Sequence, residues 1–275
     1  MGEDKGATSG VQRTFMVLRA LAQAPAKGVR VTQLAEQLGL TATTTHRLLQ
    51  SLAAEGMVEQ NERDKHYRLA LDFFSLAAKA GNASALRDIC RPALLRLCAS
   101  LGDTIFLLVR TGFDAVCVDR VDGPIPIRSF SGDIGGRVPL GVGQAALTIL
   151  AFLPEGEREE VIRHNLPRIG EMGPYDEVYL RTEVARVREL GYASRSTGLL
   201  EGMAGVGVPI LNQEGVAVAS ISVGTIQSRL VDDRLPMVVE MLKRDARYIG
   251  ERLNPFDVTL RRPMLALSSQ FNPPR

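Results

Sequence analysis

Residues 31–67 read VTQLAEQLGLTATTTHRLLQSLAAEGMVEQNERDKHY, and this stretch predicts two short helices followed by a hairpin. The first helix is predicted from Thr32, a residue type favoured at a helix N-cap, to Leu38. Gly39 follows the last apolar position, and glycine commonly ends helices because it adopts the left-handed conformation without strain. The stretch is therefore predicted to open with a helix and a tight turn.

The second helix is predicted to follow Thr41, which serves as its N-cap. Its apolar stripe consists of Thr45, Leu48, Leu49 and Leu52. Its opposite face carries Thr43, Thr44, Arg47, Gln50 and Ser51, with His46 at the edge. Hydroxyl, amide and guanidinium groups in the first turns of a recognition helix contact base edges in the major groove. The pattern therefore favours a helix that reads DNA.

A β-hairpin is predicted directly behind this helix. The runs 57–60 (MVEQ) and 66–69 (HYRL) flank the polar turn 61–65 (NERDK), which makes the stretch a winged helix-turn-helix. Arg63, Lys65 and His66 are expected near phosphate or the minor groove. The candidate DNA contacts are Thr32, Thr41, Thr43, Thr44, His46, Arg47, Gln50, Ser51, Arg63 and Lys65. The alternative is a plain helix pair joined by glycine, with His46 and His66 solvated or capping.

Charge is unevenly distributed along the chain, whose formal net charge is +2. Residues 11–68 hold eight Lys or Arg against five Asp or Glu, whereas residues 69–275 hold 24 of each. This excess is too small for indiscriminate nucleic-acid binding, which relies on many phosphate contacts. It fits better a homodimer that doubles the charge and reads two half-sites of double-stranded DNA.

Length and composition favour a two-domain globular protein, since the 275 residues are 45% hydrophobic and 23% charged. The sequence has no apolar run of about 18 residues and no signal-like N-terminus, so a cytoplasmic location without a membrane partner is predicted. Cys90, Cys98 and Cys117 lack CxxC spacing and a histidine cluster, so buried thiols are expected rather than a metal site. No cofactor is implied.

The predicted organisation is a disordered tail at 1–10, the winged domain at 11–71, linker helices at 72–101, a ligand-binding domain at 84–253 and a loose tail at 254–275. The second linker helix is expected to pack on the C-terminal domain. The first helix of the chain is predicted to bury Val11, Phe15, Leu18 and Ala22, with Leu21 beside them.

Two helical segments, at 71–80 and 84–101, are predicted between the domains, with a break at Gly81 and Asn82. In the second segment, Pro92 implies a local kink. Its predicted apolar side consists of Ile89, Leu94, Leu97, Cys98 and Leu101.

The C-terminal part predicts a mainly antiparallel sheet with helices packed against it. Strands are predicted at 104–110, 115–121 and 125–130, a glycine-rich loop at 131–137, helices at 145–152, 155–163 and 177–190, strands at 192–195, 206–211 and 216–223, and a last helix at 231–253. Hairpin connections, rather than alternating strand and helix units, favour an α+β chain. Such a domain readily encloses a ligand pocket.

These segments resemble the IclR family of bacterial transcriptional regulators. The likeness spans residues 11–250 and consists of LAEQLGL, HRLLQSLAAEGMVE, VCVDRVDGP, RVPLGVGQAALTILAFLP, ELGYASRS and GVGVPILNQEGVAVASISV, in the family's order and spacing. The resemblance implies a winged helix-turn-helix, a linker helix and a C-terminal GAF-like (profilin-like) α/β effector domain. It also implies a homodimer or a dimer of dimers whose operator binding is shifted by a catabolic metabolite.

The effector-binding residues that the resemblance implies are Leu140, Gly141, Gly143, Gln144, Ala145, Arg195, Ser196 and Gly205. The family often has His-Ala-(Ser/Thr)-x-x-Gly-Lys after the Pro-Leu pair, commonly acidic residues at the positions of Arg195 and Ser196, and a cysteine at Gly205. These departures predict a roomier pocket that holds a carboxylate, including an aromatic acid, through Arg195. Two alternatives stay open: Arg195 faces solvent, or the loop at 141–145 serves only helix and sheet packing.

Three other functions are alternatives to a ligand-responsive DNA-binding regulator. An oxidoreductase is suggested by the run Gly141-Val142-Gly143-Gln144-Ala145-Ala146, which matches a dinucleotide-binding fingerprint. It is disfavoured because no long apolar strand precedes the run, and because the residues about 20 positions later lie in a predicted charged helix. A hydrolase is disfavoured because only three histidines exist and no Gly-x-Ser-x-Gly elbow is present, so no catalytic residue is predicted. A C-terminal domain that serves assembly alone remains an alternative.

Overall fold

The computed structural model describes residues 9–25, 27–73, 76, 82–124, 127, 133–172, 175–195, 202–231 and 233–253. The chain divides into two compact units, Met1–Gly81 and Asn82–Arg275, which we call the N-terminal unit and the C-terminal unit. Residues 1–8 of the tail predicted at 1–10, and all of the tail predicted at 254–275, lie outside the described residues. Ser9 and Gly10 do not belong to a disordered tail, because Ser9 caps the first helix and Gly10 begins it.

The N-terminal unit is a winged helix-turn-helix, as predicted. Its elements are α1 (Gly10–Ala22), α2 (Val31–Leu38), α3 (Ala42–Ala54), β1 (Val58–Gln60) and β2 (Tyr67–Leu69). The two strands are antiparallel, with Val58 opposite Leu69 and Gln60 opposite Tyr67. Val29, which precedes α2, forms an isolated bridge with Tyr67 and so joins the loop before α2 to the wing.

Local capping fixes the ends of these helices. Gly39 ends α2 in the left-handed conformation, with φ of 63°, as predicted. Thr32 is the second residue of α2, so its predicted role as the N-cap is wrong. The cap position belongs to Arg30, whose backbone N–H donates to Gln33 Oε1 over 3.3 Å. That hydrogen bond satisfies a free backbone N–H at the start of α2, which begins at Val31, two residues before the predicted first helical residue.

The core of the N-terminal unit uses a different stripe of α1 from the predicted one. Val11 and Phe15 are 67% and 52% exposed, and Ala22 is also exposed, whereas Leu18 and Leu21 are buried as predicted. The buried cluster consists of Val17, Leu18, Ala20, Leu21, Leu34, Leu49, Leu52, Val58 and Tyr67. Leu48 only packs against it in a partly buried position. Contacts of α1 with α3 and β2 therefore decide which of its apolar residues are buried.

The C-terminal unit begins with α4 (Asn82–Leu101), which starts two residues before the predicted position and continues through Pro92. Ile89 is 38% exposed, so its predicted place on the buried side is wrong, whereas Leu94, Leu97, Cys98 and Leu101 are buried. Of the helix predicted at 71–80, residues 71–73 and 76 are helical and the others lie outside the described residues.

A six-stranded antiparallel sheet forms the centre of the C-terminal unit and confirms the predicted fold class. Its strands are β3 (Thr104–Thr111), β4 (Asp114–Val121), β5 (Arg137–Pro139), β6 (Ala193–Arg195), β7 (Met203–Leu211) and β8 (Ala217–Ile226). Their order across the sheet is β5-β4-β3-β8-β7-β6. Strand β5 replaces the end of the predicted glycine-rich loop and pairs with β4. The strand predicted at 125–130 lies outside the described residues except for Ile127, which is buried and has no strand assignment.

Helices cover both faces of this sheet. They are α5 (Gln144–Ala151), α6 (Glu155–Ile169), α7 (Glu177–Leu190) and α8 (Arg234–Gly250). Apolar residues of α5, α6 and α7 form one core with one face of the sheet, and those of α4 and α8 form a second core with the other face. The helix predicted at 155–163 is longer in the structure and continues through Pro167 to Ile169.

Charged pairs fix α4 on the sheet. A β-bulge between Leu107 and Leu108 shifts the pairing of β3 with β4, and Asp119 of β4 is fully buried. Arg91 Nη1 of α4 lies 2.6 Å from Asp119 Oδ1, and Arg87 Nε lies 3.4 Å from Oδ2. Because a buried carboxylate is costly without partners, these pairs hold the two elements in one arrangement.

Candidate DNA interface and effector pocket

The polar face of α3 is available for contact. Thr41 caps the helix by accepting the Thr44 backbone N–H over 3.2 Å, and its hydroxyl donates to Thr44 Oγ1 over 2.8 Å. Exposed side chains on α3 are those of Thr43, His46, Arg47, Gln50 and Ser51, whereas Thr44 is half-buried. The helix therefore presents short polar groups over its first turns, the arrangement that base contact requires.

Arg47 and Gln50 differ in what they contact within the protein. The Arg47 guanidinium makes no ion pair or hydrogen bond with the part of the chain that the structure describes. Gln50 Nε2 donates to the hydroxyl of the buried Tyr67 over 3.3 Å. Arg47 is thus free for a ligand, whereas the amide of Gln50 also joins α3 to the wing.

The turn of the wing places its cations outward. Asn61 Oδ1 accepts the Arg63 backbone N–H over 2.9 Å, and Lys65 adopts a left-handed conformation with φ of 59°. Arg63 and Lys65 are exposed and have no ion-pair partner among the described residues. Arg68, by contrast, forms an ion pair with Glu59 across the strands. Thr32 is exposed on α2.

The Asp64 carboxylate stabilises the end of the turn. It accepts the His66 backbone N–H over 3.0 Å, and this hydrogen bond lowers the pKa of Asp64 below its ordinary value. His66 itself is half-buried, and its ring nitrogen Nδ1 lies 3.1 Å from the Asp64 side chain. The turn is therefore held by local hydrogen bonds rather than by apolar packing.

The predicted effector loop lies between β5 and α5. Leu140 is fully buried, and its carbonyl accepts from Asn165 Nδ2 over 3.1 Å. Gly141 has φ of 107°, and a Cβ there would lie 2.9 Å from Leu180 Cδ1. Gly143, with φ of 76°, precedes α5, whose first residues are Gln144 and Ala145. The loop is thus packed closely between α5 and α7.

The described residues do not show the expected enlargement of the pocket at Gly205 and Gly207. A Cβ on Gly205 would lie 3.2 Å from Gln144 Oε1 and 2.8 Å from the Val223 carbonyl. A Cβ on Gly207 would lie 2.7 Å from the Gln144 carbonyl carbon. The glycines of β7 therefore let the start of α5 approach the sheet. The start of α5 fills the space that larger side chains would occupy.

A small cavity remains beside this loop, with a volume of about 10 Å³, close to that of one water molecule. It is lined by Gly141, Gly143, Gln144, Leu147, Tyr175, Tyr179, Glu183, Ala193 and Ser194. Six of these residues were missed by sequence reasoning, namely Leu147, Tyr175, Tyr179, Glu183, Ala193 and Ser194. The one available signal was the helix periodicity of α7, which puts Tyr179 and Glu183 one turn apart beside the buried Leu180.

Strand β6 brings two predicted residues together. Arg195 pairs with Gly205 in the backbone ladder, and Ala193 pairs with Gly207. Ser196 lies outside the described residues. The short β5 that precedes Gly141 is antiparallel to β4, which does not match the parallel strand of a dinucleotide-binding unit.

Comparison with known proteins identifies the family. The model for the IclR helix-turn-helix domain matches residues 10–62, and the model for the bacterial transcriptional regulator IclR C-terminal domain matches residues 79–251. The chain belongs to the IclR family. It is 30% identical over 224 residues to the HTH-type transcriptional regulator KipR of Bacillus subtilis, covering 81% of this chain and 89% of KipR.

Solved structures agree with this IclR assignment. An IclR transcriptional regulator from Alicyclobacillus acidocaldarius is 25% identical with a TM-score of 0.73, covering 88% of this chain and 97% of that one. An IclR homologue from Microbacterium hydrocarbonoxydans, complexed with 4-hydroxybenzoate, is 23% identical with a TM-score of 0.70, covering 86% and 98%. The chain is thus a DNA-binding transcriptional regulator by family, and its relatives carry the names of regulators. None of the described helices of this IclR chain is long and apolar enough to span a bilayer.

Proposed function

We propose that the chain binds an operator in double-stranded DNA and that a small organic acid changes its affinity for that operator. The observation that carries the proposal is the exposed polar face of α3, whose Arg47 guanidinium has no partner in the described chain, next to a hairpin that presents Arg63 and Lys65. Family membership supports the same class of function.

The DNA contacts divide by chemistry. Arg47 suits a guanine edge because guanidinium donors match its two acceptors, and Gln50 suits adenine through its amide. Thr43, Thr44, His46 and Ser51 lie on the same helix, whereas Arg63 and Lys65 suit phosphate because they are exposed cations on a turn. Thr32 and Thr41, at the starts of α2 and α3, suit phosphate contact through hydroxyl or backbone N–H groups.

The effector is proposed to bind beside Gly141, Gly143 and Gln144, at the start of α5. Because Glu183 lines this cavity, a carboxylate ligand needs a cation to offset that charge, and we assign this role to Arg195. Leu140, Ala145, Ser196 and Gly205 complete the proposed set. The 4-hydroxybenzoate bound to the Microbacterium homologue makes aromatic acids the first compounds to test. Unchanged ligand affinity in Arg195→Ala would rule out this role.

Transmission is proposed to run through α4, which follows the only covalent connection between the two units. Its Arg91 and Arg87 contact Asp119, and Arg96 Nη2 lies 3.3 Å from Asp245 Oδ1 of α8. A ligand changes DNA affinity only by as much as its affinity differs between two arrangements of the protein. A homodimer or dimer of dimers in the cytoplasm, without catalytic activity, completes the proposal.

The experiment is fluorescence anisotropy of labelled DNA from upstream of the chain's own gene, compared at each of several salt concentrations with a shuffled fragment of equal length. We expect selective binding to the natural fragment, with affinity that falls as salt rises. Equal binding to both fragments at every salt concentration would contradict operator recognition.

A second candidate is that the C-terminal unit serves assembly alone. The cavity of about 10 Å³ that the described residues form beside Gly141 favours it, since this volume alone admits no organic ligand. Selective DNA binding that no compound of the carboxylate panel shifts would support this candidate.

A further inference from the structure

A second, larger cavity lies in the C-terminal unit, between the end of α7, the end of β7 and the C-terminal half of α8. Its volume is about 530 Å³, within the range of small-molecule sites. Phe152, Arg188, Glu189, Leu190, Gly191, Val208, Pro209, Leu211, Asn212, Gln213, Lys243, Ala246, Arg247, Gly250 and Glu251 line it, and we call it the α7–α8 groove. It shares no lining residue with the cavity beside Gly141.

The groove follows from how the two helices end. Gly191 ends α7 in the left-handed conformation, with φ of 75°. Gly250 brings α8 against β7, because a Cβ there would overlap with the Leu211 carbonyl oxygen. Between Gly191 and Gly250 the groove is lined by a set of apolar side chains, which we call the apolar floor: Phe152, Val208, Pro209, Leu211 and Ala246. The ends of α7 and α8 thus form the groove, and its base is apolar.

Three cations and two carboxylates line the groove, an excess of one positive charge. Lys243 Nζ donates to the Leu190 carbonyl over 2.9 Å, which uses one of its three donors. Arg188 Nη1 donates to the Ala151 carbonyl over 2.9 Å. The Arg247 guanidinium contacts no hydrogen-bonding or charged partner in the described chain. Glu189 and Glu251 supply the opposing charges.

We propose that the α7–α8 groove is a second ligand site that binds a small organic anion with an apolar body. Lys243 and Arg247 bind the carboxylate or sulfonate, and the apolar floor holds the body. This combination of a few polar groups over an apolar surface is typical of ligand sites. The proposal does not rest on operator binding or on the site beside Gly141.

A peptide strand is not the occupant. The ladder of β6 with β7 ends at the pair of Ala193 and Gly207, so Val208 to Leu211 have no strand partner on that side within the described residues. Pro209 stands in this stretch and has no backbone N–H to offer an added strand. The edge is therefore poorly suited to strand addition, whereas a compact anion needs only the side chains.

The test is a titration of the full-length chain with anilinonaphthalene sulfonate, a fluorescent aromatic anion, in the absence of DNA. We expect saturable binding that includes one site per chain in the groove. Arg247→Gln should weaken binding, and the double variant Lys243→Gln/Arg247→Gln should weaken it about tenfold or more, the loss expected when charge-assisted hydrogen bonds are removed. Arg244→Gln, an exposed arginine of α8 outside the groove, is the matched control and should bind as the unaltered chain does.

Competition defines the chemical class. Naphthoate should displace the dye, and its neutral analogue naphthalenemethanol should do so far less well. Absence of saturable binding, equal affinity in the double variant, or equal displacement by the neutral compound would each overturn the proposal. Thermal melting of each variant, monitored by circular dichroism, establishes that lost binding does not reflect an unfolded chain.

Discussion

The side-chain amide of Gln50 on α3 donates a hydrogen bond to the hydroxyl of Tyr67 on β2, with 3.3 Å between nitrogen and oxygen. Tyr67 is buried, and its backbone also pairs with Val29 before α2. The side chain of Tyr67 therefore joins the wing to α3, and its backbone joins the wing to the loop before α2. The orientation of α3 is set in part by this polar contact.

Removing this contact should lower stability. We expect Gln50→Ala and Tyr67→Phe each to lower the free energy of unfolding, and the double variant to lose about 0.5–1.5 kcal/mol less than the sum, because both substitutions break the same hydrogen bond. Urea titration monitored by circular dichroism measures this, since the chain has no tryptophan. Strictly additive losses would show that the two groups do not interact.

Arg47→Ala should weaken operator binding by about 1–3 kcal/mol if the guanidinium pairs with guanine. The loss should be confined to operator sequence, because a phosphate contact would weaken all DNA sequences equally. Arg186→Ala is the control, since Arg186 is an exposed arginine of α7 in the C-terminal unit. Anisotropy with operator and shuffled DNA separates the outcomes, and a uniform loss would reassign Arg47 to phosphate.

Gly207→Ala should be costly because the new Cβ would lie 2.7 Å from the Gln144 carbonyl carbon and 2.9 Å from the Ala145 nitrogen. Those are backbone atoms of α5, so the helix start must move, and we expect a loss of about 1–3 kcal/mol in the free energy of unfolding. Gly156→Ala, on α6 with nothing within 4 Å of its Cβ, is the matched control and should leave stability unchanged or raised. Equal effects of the two would contradict the close approach of α5 to β7.

Stability should fall at alkaline pH through the buried thiols. Burial raises the pKa of Cys90 from 9.0 to about 12, with a further contribution from the Asp119 charge, and burial raises that of Cys117 from 9.0 to about 11. Between about pH 9 and these values the unfolded chain releases protons that the folded chain retains. The contribution is therefore complete below about pH 9 and is lost as the pH rises through the window.

This pH effect is measured by urea unfolding at about pH 8, below the window, and at about pH 10.5, within it. The double variant Cys90→Ala/Cys117→Ala should lose less stability between the two pH values than the unaltered chain, whatever its stability at the lower pH. An identical loss in both proteins would show that the thiols do not contribute.

Elements with strong local signals could be predicted from the sequence. Gly39 and Thr41 define the turn between α2 and α3 through their own conformations, and the polar run 61–65 defines the wing. The buried stripe of α1 could not be predicted in the same way. Its sequence offers overlapping apolar stripes, and only contact with α3 and β2 selects Val17 and Leu21 over Val11 and Phe15.

In the effector region, too, local features could be predicted from the sequence and tertiary contacts could not. The loop at 141–143 carries a glycine signal, and the structure places it at the start of α5. Tyr175, Tyr179 and Glu183 reach the same cavity from α7 and the residues before it, more than 30 residues along the chain. The periodicity of α7 puts Tyr179 and Glu183 one turn apart, but it does not indicate which loop they contact. The close approach of Gln144 to Gly205, which fills the space beside this glycine, is likewise a tertiary contact that the sequence does not show.

The central claim is that a small organic acid shifts operator binding, and the most direct measurement is anisotropy of the full-length chain on DNA from upstream of its own gene, with and without a panel of aromatic and short-chain carboxylates at fixed salt. We predict that one compound changes the operator affinity about 5-fold to 150-fold, the usual range of allosteric coupling, while binding to shuffled DNA does not change. An operator affinity that no carboxylate alters would contradict the claim.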